Sequence, residues 1–187
     1  AFLALLRLYG TPDTAVSIPF TDIHLELGWF YYVFALIFIT GIINSVNLTD
    51  GIDGLASSVT LVVAVFLSVL GFTYAKYDAA LLGGVTVGAT LGFLVYNFYP
   101  ARIFMGDTGS LFLGGIVAGA AFVIDSPLCM AIAGIIYICE ALSDIIQVGV
   151  YKLTHKRVFK MAPIHHHFEK CGWSEKKIVF AFSAVTL

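Results

Sequence analysis

Three stretches of the chain carry no charged residue at all: 27–49, 54–75 and 79–101. Each reaches the roughly 20 apolar residues that a helix needs to cross about 30 Å of hydrocarbon. Residues 108–124 predict a shorter fourth span, and residues 126–151 a fifth, interrupted only by Glu140 and Asp144. The apolar fragments 1–6 and 178–187 are too short to cross alone. With no initiator Met, the chain reads as a piece of a longer protein that begins and ends inside helices. Between residues 9 and 28 the period changes. Val16, Ile18 and Phe20, then Ile23, Leu25 and Leu27, alternate around Thr21-Asp22, which predicts a short β-hairpin. Gly84, Gly88 and Gly92, and likewise Gly115 and Gly119, recur every four residues. That spacing predicts close helix packing rather than chemistry.

Composition sharpens this picture. Of 187 residues, 59% are hydrophobic and 12% charged, which is membrane-protein usage. Five crossings put the loops near 44–53, 102–108 and 152–177 on one side. Eight of the ten Lys and Arg fall there: Arg102, Lys152, Lys156, Arg157, Lys160, Lys170, Lys176 and Lys177. Positive charge marks the cytoplasmic side, so these loops are expected to face the cytoplasm and the hairpin the exterior. The three cysteines are scattered and give no disulfide framework. The net charge of −2 says little about partners.

Candidate chemistry lies on the loops of that side. In "NSVNLTDGIDGLA", Asn44, Asn47, Asp50 and Asp53 recur at intervals of three, so a helical turn would align two amides and two carboxylates on one face. A plain turn at a helix exit is the structural alternative. In "FYPARIFMGDTGSLFLGG", Pro100 ends a span and Asp107 precedes a new helix. Asp107 suits two roles, an N-cap or a ligand for a hard cation such as Mg²⁺. Phe104 is either a packing aromatic or a surface for a base. In "APIHHHFEKCGW", His165, His166 and His167 are adjacent, so they point about 100° apart on a helix and cannot easily share one metal ion. Beside Lys156, Arg157 and Lys160 they suit phosphate oxygens, the alternative being a basic loop at lipid headgroups.

The three loops together supply what a Mg²⁺-assisted phosphoryl transfer at a membrane surface requires. Their motifs, above all "MAPIHHHFEKCGW", closely resemble the phospho-N-acetylmuramoyl-pentapeptide-transferase family, within the polyprenyl-phosphate N-acetylhexosamine-1-phosphate transferases. The Pro-Ile-His-His-His form points to this branch, with a related polyprenyl-phosphate N-acetylglucosamine-1-phosphate transferase as the alternative. The resemblance implies an all-α polytopic membrane protein with a short extracytoplasmic hairpin and cytoplasmic active-site loops, residues 1–187 being part of a single catalytic domain of about ten helices. It implies transfer of phospho-MurNAc-pentapeptide from UDP-MurNAc-pentapeptide to undecaprenyl phosphate in the bacterial cytoplasmic membrane, giving UMP and lipid I. A homodimer, Mg²⁺ and no nucleic-acid partner are further implications. By position, Asp107 matches the Mg²⁺ ligand and Asp50 a carboxylate beside the reacting phosphates. Asn47 and Asp53 fall on the nucleoside side, Asn44 is a further substrate-binding residue, Phe104 stacks on uracil, and His165 to His167 line the pyrophosphate and sugar end. The family's adjacent pair of aspartates with a nearby lysine is missing. It is expected upstream of Ala1, so the chain as written is expected to be inactive, and both direct attack by the lipid phosphate and a covalent phospho-enzyme stay open. Two other classes remain. A transporter would use Glu140 and Asp144, at i and i+4 within a span; a lipid-binding scaffold would need only the basic loop.

Overall fold

The computed structural model describes residues 14–19, 21 and 23–187, which form a helical bundle with one two-stranded sheet. Strands β1 (Ala15–Ser17) and β2 (His24–Glu26) pair antiparallel with Val16 opposite Leu25. The hairpin is therefore present. Its alternation feeds the interior on one strand only: Val16 is buried, while Ile23 and Leu25 are exposed. Phe20 of the expected first strand and Asp22 of the expected turn lie outside the described residues, as does the fragment 1–6.

Among the described residues, four helices are long and apolar enough to cross a membrane: α1 (Phe30–Thr49), α2 (Leu55–Thr73), α3 (Tyr77–Asn97) and α4 (Gly106–Val123). The expected fifth span is broken. Helix α5 (Pro127–Ala133) and helix α6 (Ile135–Thr154) meet at an 80° bend. Gly134 sits at the break with φ −92° and ψ 27°, outside the helical range. A Cβ there would lie 3.0 Å from the Tyr137 ring. The missing side chain thus lets that fully buried ring close over the bend, where its hydroxyl shares a 2.7 Å hydrogen bond with Thr60. Two short helices follow, α7 (Ile164–Lys170) and α8 (Glu175–Thr186).

Helix α2 is the centre of the bundle. Leu55, Val59, Val63 and Leu67 form a buried stripe at helical spacing, and α3 packs along it most extensively. Tyr137 of α6 and Ile178 and Phe182 of α8 join the same core. Hydroxyls inside the spans are satisfied locally: Ser45, Thr49, Thr60 and Thr90 each donate to the carbonyl four residues earlier. Leu36, Ile37, Val69, Val85 and Phe112 point outward, as hydrocarbon permits.

The glycine periodicity misplaced the packing surfaces. A Cβ on Gly88, Gly92, Gly115 or Gly119 would meet nothing within 4 Å, and one on Gly84 only the tip of Ser68. The close approaches occur one position away. At Gly83 a Cβ would lie 2.6 Å from the Ser68 nitrogen, and at Gly114 2.8 Å from the Ile43 Cα. Sequence spacing gives a face, but not which neighbour meets it. Gly83→Val is therefore expected to destabilise the bundle by roughly 1–3 kcal/mol, against little effect from Gly88→Val. Thermal unfolding of both variants in one detergent checks this; equal shifts would contradict it.

The two ends of the bundle differ. At one end Lys76, between α2 and α3, pairs with Asp125, between α4 and α5, near the hairpin. The other end gathers the C-termini of α1 and α3, the N-termini of α2 and α4, and helices α7 and α8. It carries the candidate chemistry.

Candidate active site

Asn44 and Asn47 lie on α1, but the helix stops at Thr49. Asp50 takes φ −80° and ψ 43° and its N–H bonds back to the Asn47 carbonyl. Gly54, at φ 76°, then occupies the left-handed region that favours glycine and starts α2. The expected single face of four polar residues is therefore not formed, because the period of three ends where the helix does. Asn44 sits on the exposed flank and donates 2.7 Å to its own helix at the Thr40 carbonyl. Asn47 points across the bundle, donating 3.1 Å to Asp107 Oδ1 and 2.8 Å to the Ser110 hydroxyl. Asp53 is drawn the other way. One carboxylate oxygen accepts the Ala101 N–H at 2.8 Å, and the Asp53 N–H donates to Glu175 Oε2 at 3.3 Å. Asp53 thus ties the α1–α2, α3–α4 and α7–α8 connections together.

Asp107 is not an N-cap. Met105 occupies that position without a side-chain cap, and Asp107 falls in the first turn of α4. Its carboxylate is exposed, held from one side by Asn47, in the turn where helical N–H groups favour negative charge. The charge reaches Asp50. Partial burial, and after it the Asp107 carboxylate, push the Asp50 carboxyl up to about 6.

A cleft of about 210 Å³ opens beside them, lined by Asp50, Gly51, Asp53, Asn97, Phe104 and Gly106. The Phe104 ring stands at its mouth, 75% exposed, so packing does not account for it. Asn97 does account for the wall. It is buried, accepts from Ser57 at 2.9 Å and donates to the Ile103 carbonyl at 3.0 Å, anchoring the segment that carries Phe104. Asn97, Ser110 and Glu175 were all missed by the sequence reading. An amide at the end of a long apolar helix was the one available signal, for Asn97.

The histidines splay around α7 as neighbours on a helix must. His165 has no exposure and hydrogen-bonds Glu140 of α6, Nδ1 to Oε2, at 2.9 Å. His166, partly exposed, pairs with Glu169 one turn on. His167 accepts the Lys160 N–H on Nδ1 at 3.1 Å. The structure therefore brings Asn47, Asp50, Asp107 and Phe104 together and leaves His165 inside the protein, where it does not line an open site. Glu140 and Asp144 also part company. Asp144 lines a cavity of about 450 Å³ with Gln147, Lys152 and Arg157 on the outer side of α6. Gln147 shapes that side by accepting the Val158 and Phe159 N–H groups, both at 3.0 Å.

Among the described residues, no three His, Cys, Asp or Glu side chains converge as a metal cage. The donor set is instead the two neighbouring carboxylates Asp50 and Asp107. Such a pair fits Mg²⁺, which commonly takes one or two carboxylates and completes its shell with water and phosphate oxygens.

An apolar bundle with carboxylates, an amide and an exposed ring gathered at one end is an integral membrane protein with a polar cleft at that end. The chain belongs to glycosyl transferase family 4, whose sequence profile matches residues 1–125. Several relatives are named phospho-N-acetylmuramoyl-pentapeptide-transferase. That of Clostridium botulinum (strain Eklund 17B / Type B) is 52% identical over 100% of this chain and 58% of its own length. That of Clostridium acetobutylicum is 56% identical over 91% of this chain and 54% of its own, and that of Clostridioides difficile (strain 630) 53% over 92% and 54%. The chain thus spans little more than half the length of these relatives.

Proposed function

We propose that this chain, within its full-length protein, transfers phospho-MurNAc-pentapeptide from UDP-MurNAc-pentapeptide to undecaprenyl phosphate, releasing UMP and forming lipid I. One observation carries the reading. Asn47 and Asp107 are hydrogen-bonded across 60 residues of sequence beside the half-buried Asp50, so loops distant in the chain meet at one polar rim of an apolar bundle. A soluble phosphosugar donor and a lipid acceptor can meet only at such a boundary. The names of the relatives supply the transferred group, phospho-N-acetylmuramoyl-pentapeptide; the UDP donor and the undecaprenyl phosphate acceptor rest on the family resemblance.

Within that reading Asp107, with Asp50 beside it, holds Mg²⁺, which supplies charge neutralisation for the donor phosphates. Asn47 keeps the Asp107 carboxylate oriented, and Asp50 is placed to take a proton or to approach phosphorus. Phe104 offers its face to uracil. We take this end to face the cytoplasm, a reading supported by the Lys and Arg of its loops, and the full-length protein to be a homodimer, a reading supported by the family resemblance alone.

Donor choice tests the proposal. Full-length protein with undecaprenyl phosphate is expected to release UMP from UDP-MurNAc-pentapeptide and not from UDP-GlcNAc. Release from UDP-GlcNAc alone would move the protein to the sister branch. Phe104→Ala is expected to weaken sugar-nucleotide binding by about 1–3 kcal/mol, the range for base–aromatic stacking, with the KM for the lipid unchanged. A raised KM for the lipid alone would contradict the stacking role.

A further inference from the structure

Among the described residues, one acid–base pair lies wholly inside the protein and outside the open site. Glu140 and His165 are both fully buried and joined at 2.9 Å. A carboxylate oxygen accepts, so Nδ1 carries the hydrogen and the Nε2 edge faces away from Glu140. That edge abuts the α1–α2 loop. A Cβ built on Gly51 would lie 2.2 Å from Nε2 and 2.7 Å from Cε1, so only glycine fits against the ring. Among the described residues, neither Nε2 nor Glu140 Oε1 has a hydrogen-bond partner. Burying two such groups is costly, and an apolar pair of similar volume would fill the space at less cost. The arrangement needs another reason. Gly51 directly follows Asp50, so a continuous contact runs from α6 through Glu140 and His165 to the backbone beside the site carboxylate.

We infer that Glu140 is a positioning residue: it fixes the His165 ring, and the ring fixes the backbone at Gly51 and hence the place of Asp50. His165 acts in this role without touching substrate. His166 and His167, partly exposed on the same helix, are left to face the ligand. This inference rests on the function proposed above, but its physical core, restraint of the loop, does not.

The test has two readouts in the full-length protein. Glu140→Leu keeps the bulk and removes the acceptor; Glu140→Gln keeps both. Loss of the partner that orients a metal-bound histidine costs about 10- to 100-fold, and a comparable factor is expected here by analogy. Glu140→Leu is expected to lower kcat by that factor with the KM for UDP-MurNAc-pentapeptide little changed, and Glu140→Gln to restore most of it. Gly51→Ala, whose new methyl collides with the ring, should reproduce the kcat loss and covers the case in which Glu140→Leu fails to fold. Independently of activity, amide hydrogen exchange over residues 50–53 should quicken in Glu140→Leu and Gly51→Ala but not in Glu140→Gln. Wild-type exchange in both of the former would overturn the inference whatever the activity of the wild type. Wild-type kcat in Gly51→Ala, equal losses in Gln and Leu, or a loss confined to KM would also overturn it. A wild-type protein that transfers nothing would count against the proposed function, leaving the exchange result to decide the restraint.

Discussion

Asp107→Asn in the full-length protein is expected to lower kcat/KM by at least about 10²-fold, the usual cost of removing a group that stabilises developing charge. The variant isolates the charge. An asparagine oxygen still accepts from Asn47 at the position Oδ1 now holds, 3.1 Å from its amide, and no helix cap is lost because Asp107 caps nothing. Folding should be intact, with the unfolding midpoint little changed because the lost helix-terminus attraction and the relieved repulsion of Asp50 oppose each other. Raising Mg²⁺ should restore little. Turnover near wild type with an ordinary Mg²⁺ dependence would contradict the metal assignment.

Asp50→Asn is expected to be equally damaging to turnover and opposite in its effect on stability. Asp50 is pushed up to about 6 from an ordinary value of 3.8, by burial first and by Asp107 second. Between those values the folded protein binds more protons at Asp50 than the unfolded chain does, so stability falls as pH rises through 6. In metal-free buffer at pH 7.5, an uncharged asparagine removes that penalty, and the variant should unfold at a higher temperature than wild type. At pH 4.5 the difference should shrink. Activity runs the other way: if the Asp50 carboxylate must be ionised, the wild-type rate falls as pH drops through about 6. In a less impaired variant that neutralises Asp107, that limb should move down but not to 3.8, because burial remains. A variant at position 50 that is less stable at pH 7.5 would show that the carboxylate has a buried partner and is not a strained charge. Active sites commonly hold such charges at a cost in stability.

Much of this site was legible before any coordinates. Runs without charge gave the spans, and alternation of the loops put the Asn47–Asp50, Asp107 and histidine segments at one end, where they meet. What local pattern misjudged was long-range. The three-residue period through Asn44, Asn47, Asp50 and Asp53 presumed a helix that ends at Thr49, and Asp53 is claimed by the Ala101 N–H from another loop. The broken span depends on Tyr137 reaching Thr60 over Gly134, a contact no window of sequence contains. His165 looked like its two neighbours. Only its position on α7 against Glu140 and Gly51 makes it internal.

Product stoichiometry bears most directly on phosphosugar transfer at this rim. Full-length wild-type protein in proteoliposomes, given UDP-MurNAc-pentapeptide and undecaprenyl phosphate, is expected to form UMP and the lipid-linked phosphosugar in equal amounts. Neither should form without Mg²⁺, nor in Asp107→Asn. UMP release that continues without the lipid acceptor, or lipid-linked product that forms undiminished in Asp107→Asn, would contradict it.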